Sequence, residues 1–377
     1  MQASHPRVTC LVSSRGWSAR EGALSPDALV PLGEGYSAAA TLAEWNADVA
    51  GSAATWPRFT SCPTCGSTDI RALATIRSMR HDRCRNCGFV LVNPYPPDDV
   101  RDSFYNSPYY DNYRLLEDRK RREDPYFSVS MYTDASRLAS AVAATSSSRV
   151  LDYGCGTGAF LALLRDRFGV AEVEGFEIGS EAREIARGRY GLKIAGAVQD
   201  LQHREYDCVL LLEVIEHVPD PRSFLEEVTK LVAPGGYLLI TTPAVDNMTG
   251  RWLARMCLHY TAPSHVSLFT ETALRSLMQR YSFDVTMLET DRASGFARTA
   301  VLSLLYRLDF SGPRNDEDSS DALYSPTILG RLLGKTVTRS PSIPVPLAFR
   351  ALDAALSRIA RRRPDHYYML ARRRAAP

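Results

Sequence analysis

The chain has 377 residues and a formal net charge of +2, and this length is sufficient for one large domain and a smaller one. Hydrophobic residues make up 45% and charged residues 23%, which excludes an intrinsically disordered chain. The small net charge gives no support to nucleic-acid binding, and no run of about 18 apolar residues predicts a membrane-spanning helix. Because the N-terminus also lacks the apolar run of a signal peptide, a cytoplasmic location is expected.

The first 57 residues are rich in Ala, Ser and Gly and show no sustained hydrophobic period. We interpret residues 1–57 as a poorly ordered leader. Two CxxC pairs follow, separated by 18 residues: Cys62 with Cys65, and Cys84 with Cys87. This spacing predicts a zinc ribbon over residues 58–97, in which four thiolates close a tetrahedral structural site. A redox-active dithiol pair is the alternative.

Residues 98–148 are predicted to be a helical linker or cap, with a charge run that we interpret as a solvated helix face. From Arg149 onward, strands alternate with helices. The predicted strands are 149–153, 173–177, 207–213 and 236–242, and the predicted helices are 159–168, 180–190, 221–232 and 271–280. Such alternation predicts an α/β fold, a Rossmann-like doubly wound parallel sheet with helices on both faces.

A glycine-rich turn lies between the first strand and the first helix, where backbone can approach a ligand closely. Its glycines, Gly154, Gly156 and Gly158, also satisfy a loose dinucleotide fingerprint. Asp152 would gain nothing beside a pyrophosphate, whereas it would attract a cationic amino-acid ligand. Glu177 ends the next strand, where an acid can accept hydrogen bonds from ribose hydroxyls, but nicotinamide binders share this acid. An NAD(P)-dependent oxidoreductase therefore remains an alternative.

The order of these motifs, together with the Pro234-Gly235-Gly236 turn, resembles class I S-adenosylmethionine (SAM)-dependent methyltransferases. The similarity is to the branch typified by ubiquinone-biosynthesis O-methyltransferases, and it runs from about Arg149 to Val285. The resemblance implies a seven-stranded sheet whose last strand, supplied by 366–371, is antiparallel. It also implies a methyltransferase domain over 149–377 with an insertion at about 299–365. The cofactor-binding residues that it implies are Asp152, Gly154, Cys155, Gly156, Gly158, Glu177, Ile178, Asp200 and Leu212.

Acidic and histidine side chains follow the apolar strand 207–213. If Glu213 begins a helical turn, Glu216 and His217 share a face with it and offer a site for a divalent ion. The pattern resembles the metal-binding residues of some ubiquinone-type and small-RNA methyltransferases, the latter using a second His downstream, here His265. Three interpretations stay open: a magnesium or zinc site, His217 as a general base without metal, and a purely architectural role.

The predicted function is O-methylation of a small-molecule acceptor, such as a sugar, phenolic or secondary-metabolite hydroxyl, either free or linked to a carrier or lipid. The region near 347–363 combines apolar residues at helical spacing with arginines, which fits either peripheral membrane contact or a helix packed on the sheet. A nucleic-acid partner is not expected, because the ribbon lacks clustered basic residues with interleaved aromatics. A non-catalytic zinc-ribbon adaptor for nucleic acid or protein is the remaining alternative.

Overall fold

The computed structural model describes residues 52–76, 79–107, 110, 148–246, 262, 264–290 and 366–374. Most of the predicted leader, the charge run of the linker, the insertion at 299–365 and the basic region near 347–363 lie outside these residues. The domain boundaries therefore stay predictions. No helix in the described part of the chain is long and apolar enough to cross a membrane.

The N-terminal part of the described chain is a small antiparallel sheet followed by a helix. The elements are β1 (Ile70–Ile76), β2 (Met79–Cys84), β3 (Val90–Val92) and α1 (Asp98–Tyr105). We call residues 56–76 and 79–97 the cysteine module. Trp56, which the sequence assigned to the leader, is buried and packs with Met79 and Val92.

The larger unit begins after the linker and alternates strands with helices. Its elements are β4 (Arg149–Tyr153), α2 (Ala159–Phe168), β5 (Glu172–Phe176), α3 (Ser180–Tyr190), β6 (Ile194–Ala195), β7 (Tyr206–Leu212), α4 (Pro221–Val228), β8 (Val232–Pro243), β9 (Ser267–Leu268), α5 (Glu271–Arg280), β10 (Phe283–Thr290) and β11 (His366–Arg373). Seven strands form one sheet in the order β10-β11-β8-β7-β4-β5-β6. Strand β11 is antiparallel to both β8 and β10, while β4 to β8 pair in parallel. The predicted doubly wound seven-stranded sheet with an antiparallel last strand is confirmed.

Strand β7 shows why the sheet is covered on both faces. Leu210 packs in the cluster that contains α2, whereas Val209 and Leu211 pack in the cluster that contains α4 and α5. All three side chains are fully buried. Because successive strand residues point to opposite faces, an uninterrupted apolar strand requires a helix layer on each side. The ends of these strands are therefore the accessible edge of the sheet, and the carboxyl edge is where ligands bind in such folds.

The helix predicted over 221–232 is shorter in the structure. It begins where the Asp220 side chain accepts hydrogen bonds from the backbone N–H of Arg222 and Ser223, with Pro221 in the first turn. It ends at Val228, and a 3-10 turn leads to β8 at Val232. The reason is tertiary: Val232 already pairs with Tyr206 of β7, so the sheet takes residues that helical periodicity alone assigned to the helix.

The cysteine module joins the larger unit through a shared sheet and a shared core. Strand β9 is the fourth strand of the module's sheet, whose order is β1-β2-β3-β9. Cys62, Cys84 and Cys87 belong to the same buried cluster as Leu151 and Phe269. The module is thus packed on the sheet domain, close to the loops that follow its parallel strands.

Candidate functional site

The glycine loop after β4 has the backbone shape that a ligand-binding turn needs. Gly154, Gly156 and Gly158 all have positive φ, at 88°, 54° and 77°. A Cβ atom on Gly158 would lie 2.5 Å from Leu192 Cδ1 and 3.1 Å from Ala186 Cβ. Only glycine therefore meets both the left-handed backbone and the close approach at this position.

Glu177 is tied to this loop by hydrogen bonds from backbone. Its Oε2 accepts from the N–H of Gly156 at 2.8 Å, and its Oε1 accepts from the N–H of Gly179 at 2.8 Å. The carboxylate is buried. Because each carboxylate oxygen can accept more than one hydrogen bond, both oxygens keep capacity for hydroxyl groups of a ligand. Asp152 is also buried, on β4, in register with Gly175 of β5 and Leu210 of β7.

The other predicted cofactor residues are spread along the same edge. Cys155 and Leu212 are half-buried, and Asp200 is exposed at the end of a 3-10 turn. Ile178 directly follows Glu177 and is 40% exposed, which is unusual for a large apolar side chain. Val198 is 38% exposed on the 3-10 turn, and the sequence reasoning missed it. The available signal was an apolar residue within an otherwise polar loop after β6.

A cavity of about 300 Å³ lies at the end of β6. Of the predicted cofactor residues, Asp200 lines it, together with residues such as Gly196 and Gln202. The glycine loop and Glu177 do not line it, so this cavity by itself does not define the predicted cofactor site.

Three side chains of the predicted acceptor side come together after β7. Glu216, His217 and His265 each offer one metal-ligating atom, and these atoms all lie within 4.8 Å of one another. The rings of His217 and His265 are 4.9 Å apart between centroids. His217 Nδ1 lies 2.8 Å from the Ser264 carbonyl oxygen, an acceptor, which places the proton on Nδ1 and the lone pair on Nε2. The sequence did not single out Ser264.

Glu216 has the environment of a ligand to a cation. It is fully buried; Oε2 accepts a hydrogen bond from Thr242 at 3.0 Å, whereas Oε1 has no hydrogen-bond partner. Burial and the nearby Glu213 charge raise the pKa of Glu216 well above its usual range. A buried carboxylate with one unused oxygen beside two imidazoles fits a metal ion, and this donor set suits zinc or another transition metal better than magnesium.

Glu213 does not begin a helical turn with Glu216 and His217, as the sequence analysis expected. It has a φ of 55°, and its backbone N–H donates to the carbonyl of Thr241, so it ends the strand instead of starting a helical turn. Its Oε2 lies 3.5 Å from Nε2 of His366. Burial raises the pKa of Glu213, but the charge and hydrogen bond of His366 outweigh burial and lower it to about 2. His366, predicted only as a strand residue, is thus a neighbour of the site.

Aromatic side chains of α1 and the residues after it approach the same histidine. The ring centroids of Tyr105 and His217 are 6.0 Å apart, and those of Tyr105 and Tyr110 are 4.8 Å apart. Tyr110 is buried and lies near Gly179, 3.7 Å from where a Cβ would be. This segment therefore borders both the Glu177 turn and the His217 cluster.

The four cysteines form a second cluster with metal-ligand geometry. Sγ of Cys62 lies 3.6 Å from that of Cys87, and Sγ of Cys65 lies 3.6 Å from that of Cys84. A tetrahedral site with zinc–sulfur bonds of about 2.3 Å places its sulfurs about 3.8 Å apart, whereas disulfide sulfurs are about 2.05 Å apart. The distances therefore fit a tetrahedral metal and not two disulfides.

Comparison with known proteins shows what the larger unit is similar to. Residues 128–288 match the methyltransferase domain family. The ubiquinone biosynthesis O-methyltransferase of Vibrio cholerae is 40% identical over 104 residues, which are 25% of this chain and 41% of that protein. The enzyme of the same name from Yersinia pestis is 35% identical over 114 residues, 28% of this chain and 46% of that protein. The chain thus spans less than half the length of these curated relatives.

Solved structures of low sequence identity also align with the chain. A crystal structure of a SAM-dependent methyltransferase from Archaeoglobus fulgidus aligns with 16% identity over 69% of this chain and 99% of that chain, with a TM-score of 0.39. This score is too low to carry an argument. The similarity of residues 128–288 to the methyltransferase domain family agrees with the order of motifs along one sheet.

Proposed function

We propose that this chain is a SAM-dependent methyltransferase that methylates a hydroxyl oxygen of a small molecule. The observation that carries the proposal is the buried Asp152 carboxylate on the strand directly before the glycine loop, which suits a cationic amino-acid ligand and not a pyrophosphate. Glu177, held by N–H groups of Gly156 and Gly179, adds acceptors for ribose hydroxyls. The match of residues 128–288 to the methyltransferase family supports the methyl donor. The printed names of the sequence relatives, O-methyltransferases, support oxygen as the acceptor atom.

On the cofactor side, each residue has a role that its position allows. The Asp152 carboxylate attracts the positively charged amino-acid end of the donor, and Glu177 accepts hydrogen bonds from the ribose hydroxyls. Ile178 and Val198 offer exposed apolar surface to a flat base. When bound, SAM supplies an electrophilic methyl group that an acceptor oxygen attacks in line. The contribution of the protein is then positioning and the exclusion of water.

On the acceptor side, two roles of His217 remain in the proposal. In the first, Glu216, His217 and His265 would hold a metal ion, which would act as a Lewis acid toward the acceptor hydroxyl. In the second, Nε2 of His217 takes the hydroxyl proton directly, because the Ser264 carbonyl fixes the other ring nitrogen as the donor. Glu216 Oε1, which has no hydrogen-bond partner and lies 4.0 Å from His217 Nε2, favours the first. A sugar, a phenol or another hydroxyl, free or linked to a carrier or lipid, would enter beside Tyr105.

The two alternative functions receive no support from the comparisons. A nicotinamide-dependent oxidoreductase shares the acid at Glu177, but the family match names methyl transfer. A non-catalytic adaptor would leave the buried Glu216 without a purpose, since an uncompensated buried carboxylate is costly.

Calorimetry with S-adenosylhomocysteine tests the donor site. Glu177→Gln removes the charge that the ribose hydroxyls bind, and we expect affinity to fall about 100-fold. Asp152→Asn is expected to weaken binding as well. Glu181→Gln, an exposed acid in the first turn of α3, is the matched control and should leave affinity unchanged. Unchanged affinity in both site variants, or tighter binding of NAD(P) than of S-adenosylhomocysteine, would overturn the proposal.

Incubation of the full chain with SAM and metabolite fractions, followed by mass spectrometry, tests the acceptor. We expect a product that gains one CH₂ unit and whose fragments place it on oxygen. A product methylated on nitrogen or carbon would overturn the oxygen assignment while leaving the donor assignment intact.

A further inference from the structure

The segment from His265 to Thr270 is bound on one side by the candidate site and on the other by the cysteine module. The residue after His265 shows this most directly. The N–H of Val266 donates to the Glu216 carbonyl at 2.9 Å, and the N–H of Val92 donates to the Val266 carbonyl at 2.9 Å. One residue thus links the end of β3 to a residue of the candidate metal site.

The pairing of β3 with β9 extends this connection. Val90 pairs with Leu268 and Leu91 pairs with Ser267, so β9 is held as a strand of the module's own sheet. Register in such a pairing decides which face each side chain takes, and a slip by one residue would reverse every side chain of the segment. The position of His265, two residues before β9, therefore depends on the position of β3.

The turn that leads into β3 carries two of the four cysteines. Thr270 Oγ1 donates to the Cys87 carbonyl at 2.6 Å, and the rings of Phe89 and Phe269 lie 5.1 Å apart between centroids. Both rings are fully buried. A Cβ on Gly88, which has a φ of 77°, would lie 3.0 Å from Thr270 Cγ2, so the two segments are in close contact here. Fixing the sulfur atoms of Cys84 and Cys87 thus fixes the backbone on which β9 is registered.

We propose that the cysteine module is the positioning element of His265: the four-thiolate centre holds β3, β3 sets the register of β9, and Val266 then places His265 beside Glu216 and His217. The inference rests on the proposed function only in taking those three side chains as the acceptor side of the site. The module would thus act on the geometry of the acceptor side. Donor binding is assigned to other residues, mainly those from Asp152 to Asp200. Misplacing a catalytic group by about 1 Å can cost about 100-fold in rate, so such a support is functionally significant.

The test compares two Phe→Leu variants of the full chain, each loaded with zinc. Phe89→Leu removes the ring that packs on Phe269 across the seam. Phe59→Leu is the control within the module, because the Phe59 ring stacks on Tyr95 at 4.4 Å between centroids and contacts the shared core only as a partly buried side chain. The readouts are zinc content, S-adenosylhomocysteine affinity, hydrogen exchange of amides 266–268, and the ring signals of His265 and His217 in histidine-labelled protein.

In Phe89→Leu we expect amides 266–268 to exchange about tenfold faster and the His265 ring signal to shift, with zinc content and S-adenosylhomocysteine affinity unchanged. Phe59→Leu should leave the exchange rates and the His265 signal as in the parent chain. If the two variants behave equally, the seam has no specific effect on His265 and the proposal is overturned. If S-adenosylhomocysteine binding is lost in parallel, the module supports the whole domain, which also overturns the proposal.

If Phe89→Leu does not fold, zinc extraction from the unmodified chain provides the second measurement. Removal of zinc should accelerate exchange of amides 266–268 and leave S-adenosylhomocysteine affinity within about twofold. Unchanged exchange after verified zinc loss overturns the positioning role. The positioning role is also overturned if zinc extraction abolishes S-adenosylhomocysteine binding while Phe59→Leu still binds S-adenosylhomocysteine. The proposed methyltransferase function would stand in both cases.

Discussion

The donor side and the acceptor side of the site are assembled in opposite ways. Apart from Leu212 on β7, the proposed donor side comes from one continuous stretch, from Asp152 to Asp200, in which strands, a glycine turn and helices follow each other along the chain. The acceptor side draws on separate segments, and these are represented by Tyr105, Glu216, His265 and His366. The proposed donor site is therefore formed mainly by residues close together in the sequence, whereas the proposed acceptor site depends on tertiary contacts between distant segments.

The two sides also differ in how they satisfy their buried acids. Both oxygens of Glu177 accept backbone N–H groups at 2.8 Å, so its charge is stabilised before any ligand arrives. Glu216 is equally buried, but one of its oxygens has no hydrogen-bond partner, and its pKa is raised by burial and by the Glu213 charge. The first acid is preorganised for neutral hydroxyl donors, and the second is suited to a proton or a cation.

The largest effect is expected from breaking the cysteine centre. Cys84→Ser removes one of four thiolates, and structural zinc contributes on the order of 10 kcal/mol to the folding of small zinc domains. Because Cys84 lies in the core cluster that includes Phe269, we expect the thermal unfolding midpoint to fall by more than 5 °C. Differential scanning fluorimetry and metal analysis check this.

The same variant sharpens the distinction between the two sides. At temperatures where Cys84→Ser is still folded, S-adenosylhomocysteine should bind as in the parent chain, while methyl transfer should be lost. An unchanged midpoint together with a full equivalent of zinc would show that the cysteines do not form the centre proposed here.

Two glycine variants break the donor side. Gly158→Ala introduces a Cβ that meets Leu192 Cδ1 at 2.5 Å on a backbone with φ of 77°, whereas a Cβ on Gly169, with φ of 69°, meets no atom within 4 Å. Gly169→Ala should cost about 1 kcal/mol from the left-handed backbone alone. Gly158→Ala should cost about 3 kcal/mol and weaken S-adenosylhomocysteine binding, because the clash adds to that strain. Equal stability of the two proteins would contradict this reasoning.

The difference between the two sides also explains how far the sequence could predict them. Periodicity and glycine spacing predicted β4, α2 and α3 with the bounds that the structure has, because each is decided by residues within one or two turns. The helix over 221–232 ended early, because pairing of Val232 with Tyr206 lies outside any local window. The shared sheet of β3 and β9 was not predicted for the same reason.

On the acceptor side, local reasoning found the residue types but not their grouping. Helical spacing placed Glu213 with Glu216 and His217, whereas the positive φ of Glu213 turns the chain and brings its side chain to His366. Non-glycine residues with positive φ are uncommon, and no sequence pattern here signals one. Grouping His265 with His217 was carried by the family resemblance, and the structure brings the two rings together.

Glu216→Gln distinguishes the two acceptor-side roles. If a metal is bound, replacing a charged ligand oxygen should lower metal affinity by about 100-fold, and activity should fall with it. If His217 acts alone, glutamine mimics a protonated Glu216 and should leave activity and stability nearly unchanged. Glu205→Gln is the matched control, because Glu205 is exposed and is not one of the three clustered ligands. Metal titration of both variants, with the cysteine centre loaded, separates the outcomes.

The smallest expected effect is a pH dependence of stability from His81, on β2 of the cysteine module. Its side chain is buried, and burial lowers its pKa from 6.5 to about 4. Between these values the unfolded chain binds a proton that the folded chain does not, so stability falls as pH falls. The loss from pH 6.5 to pH 5 should be about 1.5 kcal/mol.

His81→Phe removes this titration, and its unfolding midpoint should therefore fall less than that of the parent chain over the same pH range. Protonation of the thiolates affects both proteins equally, so the difference between them isolates His81. Parallel slopes for His81→Phe and the parent chain would mean that His81 takes up its proton in the folded state, which requires water to reach a ring that is buried in the module's sheet.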